Sequence, residues 1–177
     1  MTIINRYASI DGEYRYFLER WWDRPRGEGY PNDYPNDFGV DWMTFIMLNP
    51  STADGMEDDP TIRRCISFAK REGATRLEVI NLFALRATDP SELLTHPDPV
   101  GPSNDALLRN ASVLRGRARA VVAWGAHKMV TPERVALVVN AARERGTTLW
   151  CLGTTKSGAP RHPLFVRADQ PLIPWEG

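Results

Sequence analysis

Two polar side chains that could take part in a reaction stand beside prolines: Asn49 in MLNPSTAD and His162 in RHPLF. An imidazole gains and loses a proton near neutral pH, and His162 lies in a polar loop that gives it no core role. We therefore expect His162 in a functional site. Asn49 could orient a nucleophile, or its side chain could simply cap its own turn. The sequence leaves both interpretations of Asn49 open.

Basic residues near these two segments could bind an anion. Arg86 and Arg161, with Lys156, could hold a phosphate, because a guanidinium group binds phosphate through two parallel hydrogen bonds. Alternatively, these cations are solvated or paired with nearby acidic residues. The acidic residues in question are Asp54, Asp58 and Asp59.

Other reaction classes lack their usual motifs. Ser51 follows a proline without a G-x-S-x-G frame, so acyl transfer is not expected, although the backbone N–H groups of residues 51–53 could cradle an anion. The chain contains neither G-x-x-x-x-G-K-[ST] nor G-x-G-x-x-G, which argues against ordinary NTP hydrolysis and dinucleotide binding. His, Cys and carboxylate residues do not recur at metal-ligand spacing. We therefore expect no metal and no cofactor.

Regular elements must hold these residues in place, and the chain predicts them from residue 44 onward. Asp59-Pro60 predicts the start of a helix over 60–72, in which apolar residues recur at helical spacing until Gly73. Ser103 and Thr131-Pro132 predict the starts of two further helices. Short apolar runs predict four buried strands, at 44–48, 76–82, 118–125 and 147–153.

The N-terminal region has a different pattern. Residues 3–24, with the turn pair Asp11-Gly12, predict a β-hairpin at the edge of a sheet. Residues 25–39 repeat Tyr-Pro-Asn-Asp and are rich in Pro, Gly and Asp, which predicts an exposed loop. We expect one α/β domain over residues 1–177, with its core at 44–166.

Strands that alternate with helices predict an α/β fold with a mainly parallel central sheet and helices on both faces. Right-handed crossovers then place the carboxyl ends of the strands on one edge, where such folds bind ligands. The segments that leave this edge begin at Asn49, Asn81, Trp124 and Thr154. They are the expected walls of a pocket.

Composition limits the class of protein. The chain has 177 residues, 22 basic against 22 acidic, which argues against strong non-specific binding to nucleic acid. No segment approaches the roughly 20 apolar residues of a membrane helix, and the N-terminus lacks the plan of a signal peptide, so we expect a cytoplasmic protein without membrane partners. Cys65 and Cys151 stand in separate apolar segments, which favours buried, reduced thiols.

The chain is identified by resemblance as a member of the domain-of-unknown-function 1643 family of bacterial and phage proteins. The motifs that carry this resemblance cover most of residues 10–166 and read YRYFLERWW, MLNPSTAD, NLFALRATDP, VVAWG and TKSGAPRHPLF. A more distant similarity is to the uracil-DNA glycosylase superfamily, whose motifs are matched in order by MLNPS, VINLFALR, VVAWG and RHPLF. This similarity implies a three-layer sandwich around the sheet.

The glycosylase resemblance implies hydrolysis of an N-glycosidic bond. Such a reaction needs a positioned water on one side of the sugar and stabilisation of the departing base on the other. The residues that match the catalytic positions are Asn49, which would hold the water, and His162, which would bind the base. The implied substrate-binding residues are Pro50, Ser51, Asn81, Arg86, Trp124, Gly125 and Arg161.

The chain also departs from the glycosylase pattern. Leu48 replaces the glycine that precedes the first turn, and an amide at Asn49 would orient water better than deprotonate it. Three hypotheses follow from these observations. The chain is a glycosylase-like enzyme acting on a nucleobase, nucleoside or nucleotide, or a non-catalytic module that binds the same ligands. In the third, the aromatic hairpin at 14–22 is a protein-interaction surface and the core is only a scaffold.

Overall fold

The computed structural model describes residues 3–22, 42–110 and 119–177. The predicted loop at 25–39 lies outside the described residues. The same holds for residues 23–24 of the predicted hairpin and for residues 111–118.

An antiparallel hairpin opens the fold, as predicted. Strand β1, Asn5–Asp11, pairs with strand β2, Tyr14–Trp21, and Gly12 between them has a positive φ of 57°. Glycine adopts this backbone conformation without the steric cost that a side chain would add. Strand β1 forms the edge of the sheet.

Two aromatic residues of this hairpin, Tyr16 and Trp22, are buried and are not available on an exposed interaction surface. Trp22 is buried, and its indole N–H donates a 2.8 Å hydrogen bond to the carbonyl of Ala74. Tyr16 is buried as well, and the partly buried Trp21 packs against the guanidinium of Arg76. Tyr16 and Trp22 therefore belong to the interior of the protein, whereas Tyr14, Phe17 and Trp21 are partly buried.

Strands and helices alternate along the rest of the chain. The strands are β3 at Trp42–Met47, β4 at Arg76–Asn81, β5 at Arg119–Val122, β6 at Leu149–Cys151 and β7 at Ile173–Pro174. The helices are α1 at Pro60–Arg71, α2 at Asn104–Asn110 and α3 at Pro132–Glu144. Two short 3-10 turns, Pro90–Leu94 and Pro163–Phe165, and strand β7 were not predicted from the sequence.

The sheet is mixed, which corrects the prediction of a mainly parallel one. Its seven strands run in the order β1-β2-β4-β3-β5-β6-β7, and three of the six pairings are parallel while three are antiparallel. The four strands between the hairpin and β7 are parallel to one another. Antiparallel strands flank them because the N-terminal hairpin adds to β4 and the C-terminal segment turns back beside β6.

Helix α1 forms where local signals predicted it. The Asp59 side chain accepts a hydrogen bond from the N–H of Ile62, and Pro60 occupies the first helical position. Gly73, with a φ of 81°, follows its end. The predicted apolar residues of this helix, Ile62, Cys65, Ile66 and Ala69, are all buried.

Helices cover both faces of the sheet, so the fold has three layers. On what we call the α1 face, Phe45, Val79 and Val121 pack against α1. On what we call the α3 face, Ile46 and Val122 pack with residues of α2 and α3. Alternate residues of each strand point to opposite faces, which explains why adjacent residues belong to different clusters.

Two general expectations can be compared with the structure. Cys65 and Cys151 are both free and buried, as predicted. Across the described ranges, no helix combines the length and apolar character needed to cross a membrane.

Candidate functional site

The predicted site residues divide between the two faces at the carboxyl edge of the parallel strands. Asn81 pairs in register with Met47, which belongs to the α1-face cluster, and Asn49 lies two residues beyond Met47. Trp124 belongs instead to the α3-face cluster and packs edge-on against Trp175, with ring centroids 5.3 Å apart. The sheet therefore separates Trp124 from the α1 face.

The side chain of Asn49 ties two strand ends together. Its Nδ2 donates hydrogen bonds of 2.9 Å to the carbonyls of Pro50 and Ala87, and Ala87 in turn donates from its N–H to Pro50. An amide nitrogen has two hydrogens, so both donors of Asn49 are in use. Its oxygen, Oδ1, has no protein partner among the described residues. Asn49 therefore holds its turn in place and keeps one hydrogen-bond acceptor for another group.

Two buried arginines of β2 anchor the loop that follows this turn. Arg15 donates from Nη1 to the carbonyl of Ala53 over 2.6 Å, and Arg20 donates to the carbonyls of Asp54 and Glu57. Arg15 is 2% exposed and Arg20 0%. Residues 53–57 are thus fixed to the hairpin by long-range hydrogen bonds.

The last loop, which carries His162, is held against α1 and β5. Arg64 of α1 donates to the carbonyls of Pro163 and Val166, the latter over 2.6 Å. The N–H of Gly125, at the end of β5, donates to the carbonyl of Pro160. Gly125 has a φ of 73°, and a Cβ at that position would lie 3.8 Å from the Cβ of His162. The backbone thus brings the end of β5 into contact with the last loop.

His162 is partly buried, and its surroundings favour the neutral form of the imidazole. Burial lowers the pKa of His162 below its usual value, while the nearby carboxylate of Asp59 acts in the opposite direction. Its Nδ1 accepts a hydrogen bond of 3.3 Å from the N–H of Leu164. Because one nitrogen of a neutral imidazole accepts and the other donates, we assign the proton to Nε2. Among the described residues, none accepts a hydrogen bond from Nε2 of His162, so this donor is available to a ligand.

An exposed aromatic ring stands beside this imidazole. The rings of Phe165 and His162 have centroids 5.6 Å apart, and Phe165 is 80% exposed. A phenylalanine is usually found inside a protein, so an exposed ring next to a partly buried histidine marks a surface on which a flat ligand could stack.

Asp59 is a neighbour of His162 with a structural task. One carboxylate oxygen caps α1 through Ile62, and the other accepts from the N–H of Ala53 over 3.4 Å. Since both oxygens hold backbone N–H groups, Asp59 shapes the loop between β3 and α1 and is poorly placed to act as a free base.

The predicted cations do not converge on one point. Arg86 follows β4, whereas Arg161 donates to the carbonyl of Thr154 beyond β6, and β3 and β5 lie between these two strands. At the usual strand spacing, three steps across the sheet amount to about 14 Å. Lys156 is exposed near Arg161. Arg86 is instead a neighbour of the buried Arg15, and its charge helps to lower the pKa of Arg15.

Three further predicted residues are in the same region. Pro50 is buried and accepts the two hydrogen bonds that close the turn, and Ser51 is partly buried. Asn81 is 1% exposed, and its Nδ2 is buried without a hydrogen-bond partner. A buried donor of this kind is a place where water or a ligand commonly completes the structure.

An open cleft of about 850 Å³ lies on the other side of Gly125. It runs between α3 and the C-terminal segment and includes Trp124, His127, Lys128 and Trp175. Neither Asn49 nor His162 lines this cleft. Within the three described ranges, no group of three or more His, Cys, Asp or Glu residues could hold a metal ion.

Together these features define a mixed α/β protein with a polar cluster at the carboxyl ends of its parallel strands. The chain belongs to the family described as "Protein of unknown function (DUF1643)", which matches residues 15–164. This confirms the family resemblance read from the motifs.

Neither the curated proteins nor the solved structures contain a match to the chain. The more distant similarity to the uracil-DNA glycosylase superfamily consequently has no support beyond the four short motifs.

Sequence reasoning missed Arg15 and Phe165. In YRYFLERWW, charged residues that alternate with apolar ones would ordinarily face solvent, yet Arg15 and Arg20 are buried along with apolar residues of the same strand. Phe165, in turn, looked like an ordinary apolar residue of a loop. The sequence did contain one signal for Phe165, since it follows His162 by only three residues.

Proposed function

We propose that the protein binds a nucleobase or nucleotide on the α1 face, at the carboxyl edge of its parallel strands. The observation that carries this proposal is the exposed Phe165 ring 5.6 Å from the partly buried, neutral His162. Stacking on an aromatic ring combined with a fixed hydrogen-bond donor is a common way of binding a heterocyclic base.

The free hydrogen-bonding groups support the same proposal. His162 offers a donor at Nε2, since its Nδ1 is occupied by Leu164, and Asn49 offers an acceptor at Oδ1, since its Nδ2 is occupied by two carbonyls. The edges of nucleobases carry donors and acceptors side by side. A base carbonyl would match His162, and a base N–H or a water molecule would match Asn49.

Hydrolysis of an N-glycosidic bond is the second candidate function. Asn49 Oδ1 could accept a hydrogen bond from water and orient it, but an amide cannot remove its proton. Asp59 is close to His162, although backbone N–H groups already occupy its oxygens. The geometry therefore supports binding more directly than catalysis, and the enzyme hypothesis rests on the motif resemblance.

Titration calorimetry with a panel of nucleobases, nucleosides and nucleoside monophosphates tests the binding proposal. We expect wild type to bind at least one of them, and Phe165→Ala to weaken that binding roughly 5- to 150-fold, the value of one stacked base. Leu164→Ala is the matched control, because Leu164 is also exposed but the imidazole contact belongs to Phe165. Absence of binding by wild type, or equal loss in both variants, would contradict the proposal.

Enzyme and binding module are distinguished by looking for released base. Wild type and Asn49→Ala are incubated with nucleosides, nucleotides and single-stranded DNA containing uracil or modified bases. Release by wild type that is lost in Asn49→Ala would indicate hydrolysis. Binding without release in either protein would indicate a module.

A further inference from the structure

We propose that Arg15 and Arg86 form a phosphate-binding subsite on the α1 face, so that the ligand is a nucleotide rather than a free base or nucleoside. The identification of the ligand as a nucleotide rests on the proposed function. The phosphate subsite itself stands on the geometry of the two arginines.

The unsatisfied hydrogen-bonding capacity of Arg15 is the first observation. Its side chain is 2% exposed, yet its described hydrogen bond is a single one, from Nη1 to the carbonyl of Ala53. Its Nε is buried without a partner, and no ion pair joins it to a carboxylate among the described residues. A buried guanidinium has five N–H donors, and leaving them unpaired is costly.

Arg20 shows how a buried arginine of the same strand is satisfied when its role is structural. It is paired with Asp58 over 2.6 Å and also donates to the carbonyls of Glu19, Asp54 and Glu57. Arg15 has no comparable set of partners. The difference between these two arginines indicates that Arg15 is prepared for a group that the protein itself does not supply.

Arg86 provides the second cation. It is partly exposed, its Nε is buried without a partner, and its guanidinium has no hydrogen bond or ion pair within the described ranges. The described bond of Arg86 is from its backbone N–H to the carbonyl of Glu13. Arg86 is thus a partly exposed cation next to the buried Arg15.

Strand pairing brings the two arginines together. Tyr14 and Leu85 form an antiparallel bridge, and Arg15 donates from its backbone N–H to Ala84. Tyr14 and Leu85 belong with the α3-face cluster, so their neighbours Arg15 and Arg86 point to the opposite side. Diagonal neighbours on one face of a pair lie about 7–8 Å apart at Cα, within reach of long side chains.

The local charges favour an anion of this kind. Burial lowers the pKa of Arg15 to about 10; the Asp59 carboxylate acts in the opposite direction, and the charge of Arg86 adds to the lowering. A negative ligand that contacts both guanidinium groups would relieve their mutual repulsion. Asp54 and Asp59 are near; backbone N–H groups hold Oδ1 of Asp54 and both carboxylate oxygens of Asp59. Two guanidinium groups match the charge and the several oxygens of a phosphate monoester.

The test measures thermal unfolding in inorganic phosphate against chloride at equal ionic strength. We expect phosphate to raise the unfolding midpoint of wild type, and Arg86→Gln to reduce phosphate affinity at least roughly tenfold, as expected for a bidentate charged contact. Arg109→Gln is the matched control, since it removes one positive charge from an exposed residue of α2. Arg86→Gln is the decisive variant because Arg86 is partly exposed, so the protein should tolerate its replacement. Arg15→Lys keeps the positive charge and gives a second measurement of phosphate affinity at the buried position.

The inference is overturned if phosphate acts no more strongly than chloride, or if Arg86→Gln and Arg109→Gln lose the same affinity. Nucleosides and their 5′-monophosphates separate this result from the proposed function. Binding of phosphate without binding of nucleosides would contradict the proposed base site and would still support the phosphate subsite. Equal affinity for a nucleoside and its monophosphate would contradict the phosphate subsite and would still support the base site.

Discussion

Arg20 of β2 donates from Nε to Oδ1 of Asp58 over 2.6 Å, and the arginine is completely buried. The same guanidinium donates to the carbonyls of Asp54 and Glu57. One side chain of the hairpin thus sets the path of the loop that leads into α1. The Asp58 carboxylate is shared with Arg6, 2.9 Å away.

We expect Arg20→Met to destabilise the protein by about 3–5 kcal/mol, because it leaves buried carbonyls and part of a carboxylate without a partner. Arg6→Met is the control. Arg6 binds the same carboxylate from a side chain that is 34% exposed, so its loss should cost less than about 1 kcal/mol. Urea unfolding of the three proteins measures both values, and similar losses in both variants would refute a special role for Arg20.

Asn49→Asp should destabilise the protein by about 1–3 kcal/mol. The carboxylate keeps the shape of the amide but replaces two donated hydrogen bonds with oxygen facing the carbonyls of Pro50 and Ala87. Thr52→Ala, an exposed change in the same turn, should stay within about 0.5 kcal/mol of wild type. Denaturant midpoints check this, and a fully stable Asn49→Asp would show that the amide donors are dispensable.

His162 should make stability depend on pH. Because burial lowers the pKa of His162 in the folded protein, the unfolded chain takes up a proton first as the pH falls. The stabilisation is fully present above the unfolded pKa of about 6.5 and is lost as the pH falls through the lower folded pKa. Urea unfolding at about pH 8 and about pH 5.5 should therefore show a smaller difference in His162→Gln than in wild type.

Leu164→Ala is the control for that experiment, since it keeps both the imidazole and the backbone N–H that binds Nδ1. It should retain the pH dependence of wild type. An unchanged difference in His162→Gln would mean that other groups carry the effect.

The two cysteines should be unreactive in the folded protein. Burial raises the pKa of both Cys65 and Cys151, and the thiolate is the species that attacks disulfide reagents. We expect no reaction of the native wild type with a chromogenic disulfide at about pH 8 and two thiols per chain after unfolding. Thr52→Cys, which adds an exposed thiol, should react at once with one equivalent. Rapid labelling of native wild type would contradict the burial of these thiols.

Helix α1 and the N-terminal hairpin could be predicted because their signals are local. Asp59, Pro60 and Gly73 mark the ends of the helix within a few residues of the turns they create. Asp11-Gly12 does the same for the hairpin. Strand β7 could not be found this way, since two residues form no measurable periodicity and pair with β6 only through tertiary contact.

The mixed character of the sheet also required the tertiary structure. Alternating strands and helices predict parallel neighbours, and β3 to β6 satisfy that rule. The pattern contains no information on where the hairpin docks. It pairs antiparallel with β4, which closes one side of the sheet.

By itself, the sequence determined the residue types at the carboxyl edge, the positions where the helices begin and the family to which the chain belongs. Only the tertiary structure decided what those residues are free to do. Asn49 donates one hydrogen bond to the carbonyl of Ala87, 38 residues away, and Arg15 donates to the carbonyl of Ala53 across the same separation. Periodicity and capping rules act over one or two turns of chain, whereas hydrogen bonds and burial at this site join segments that meet only when the sheet is complete.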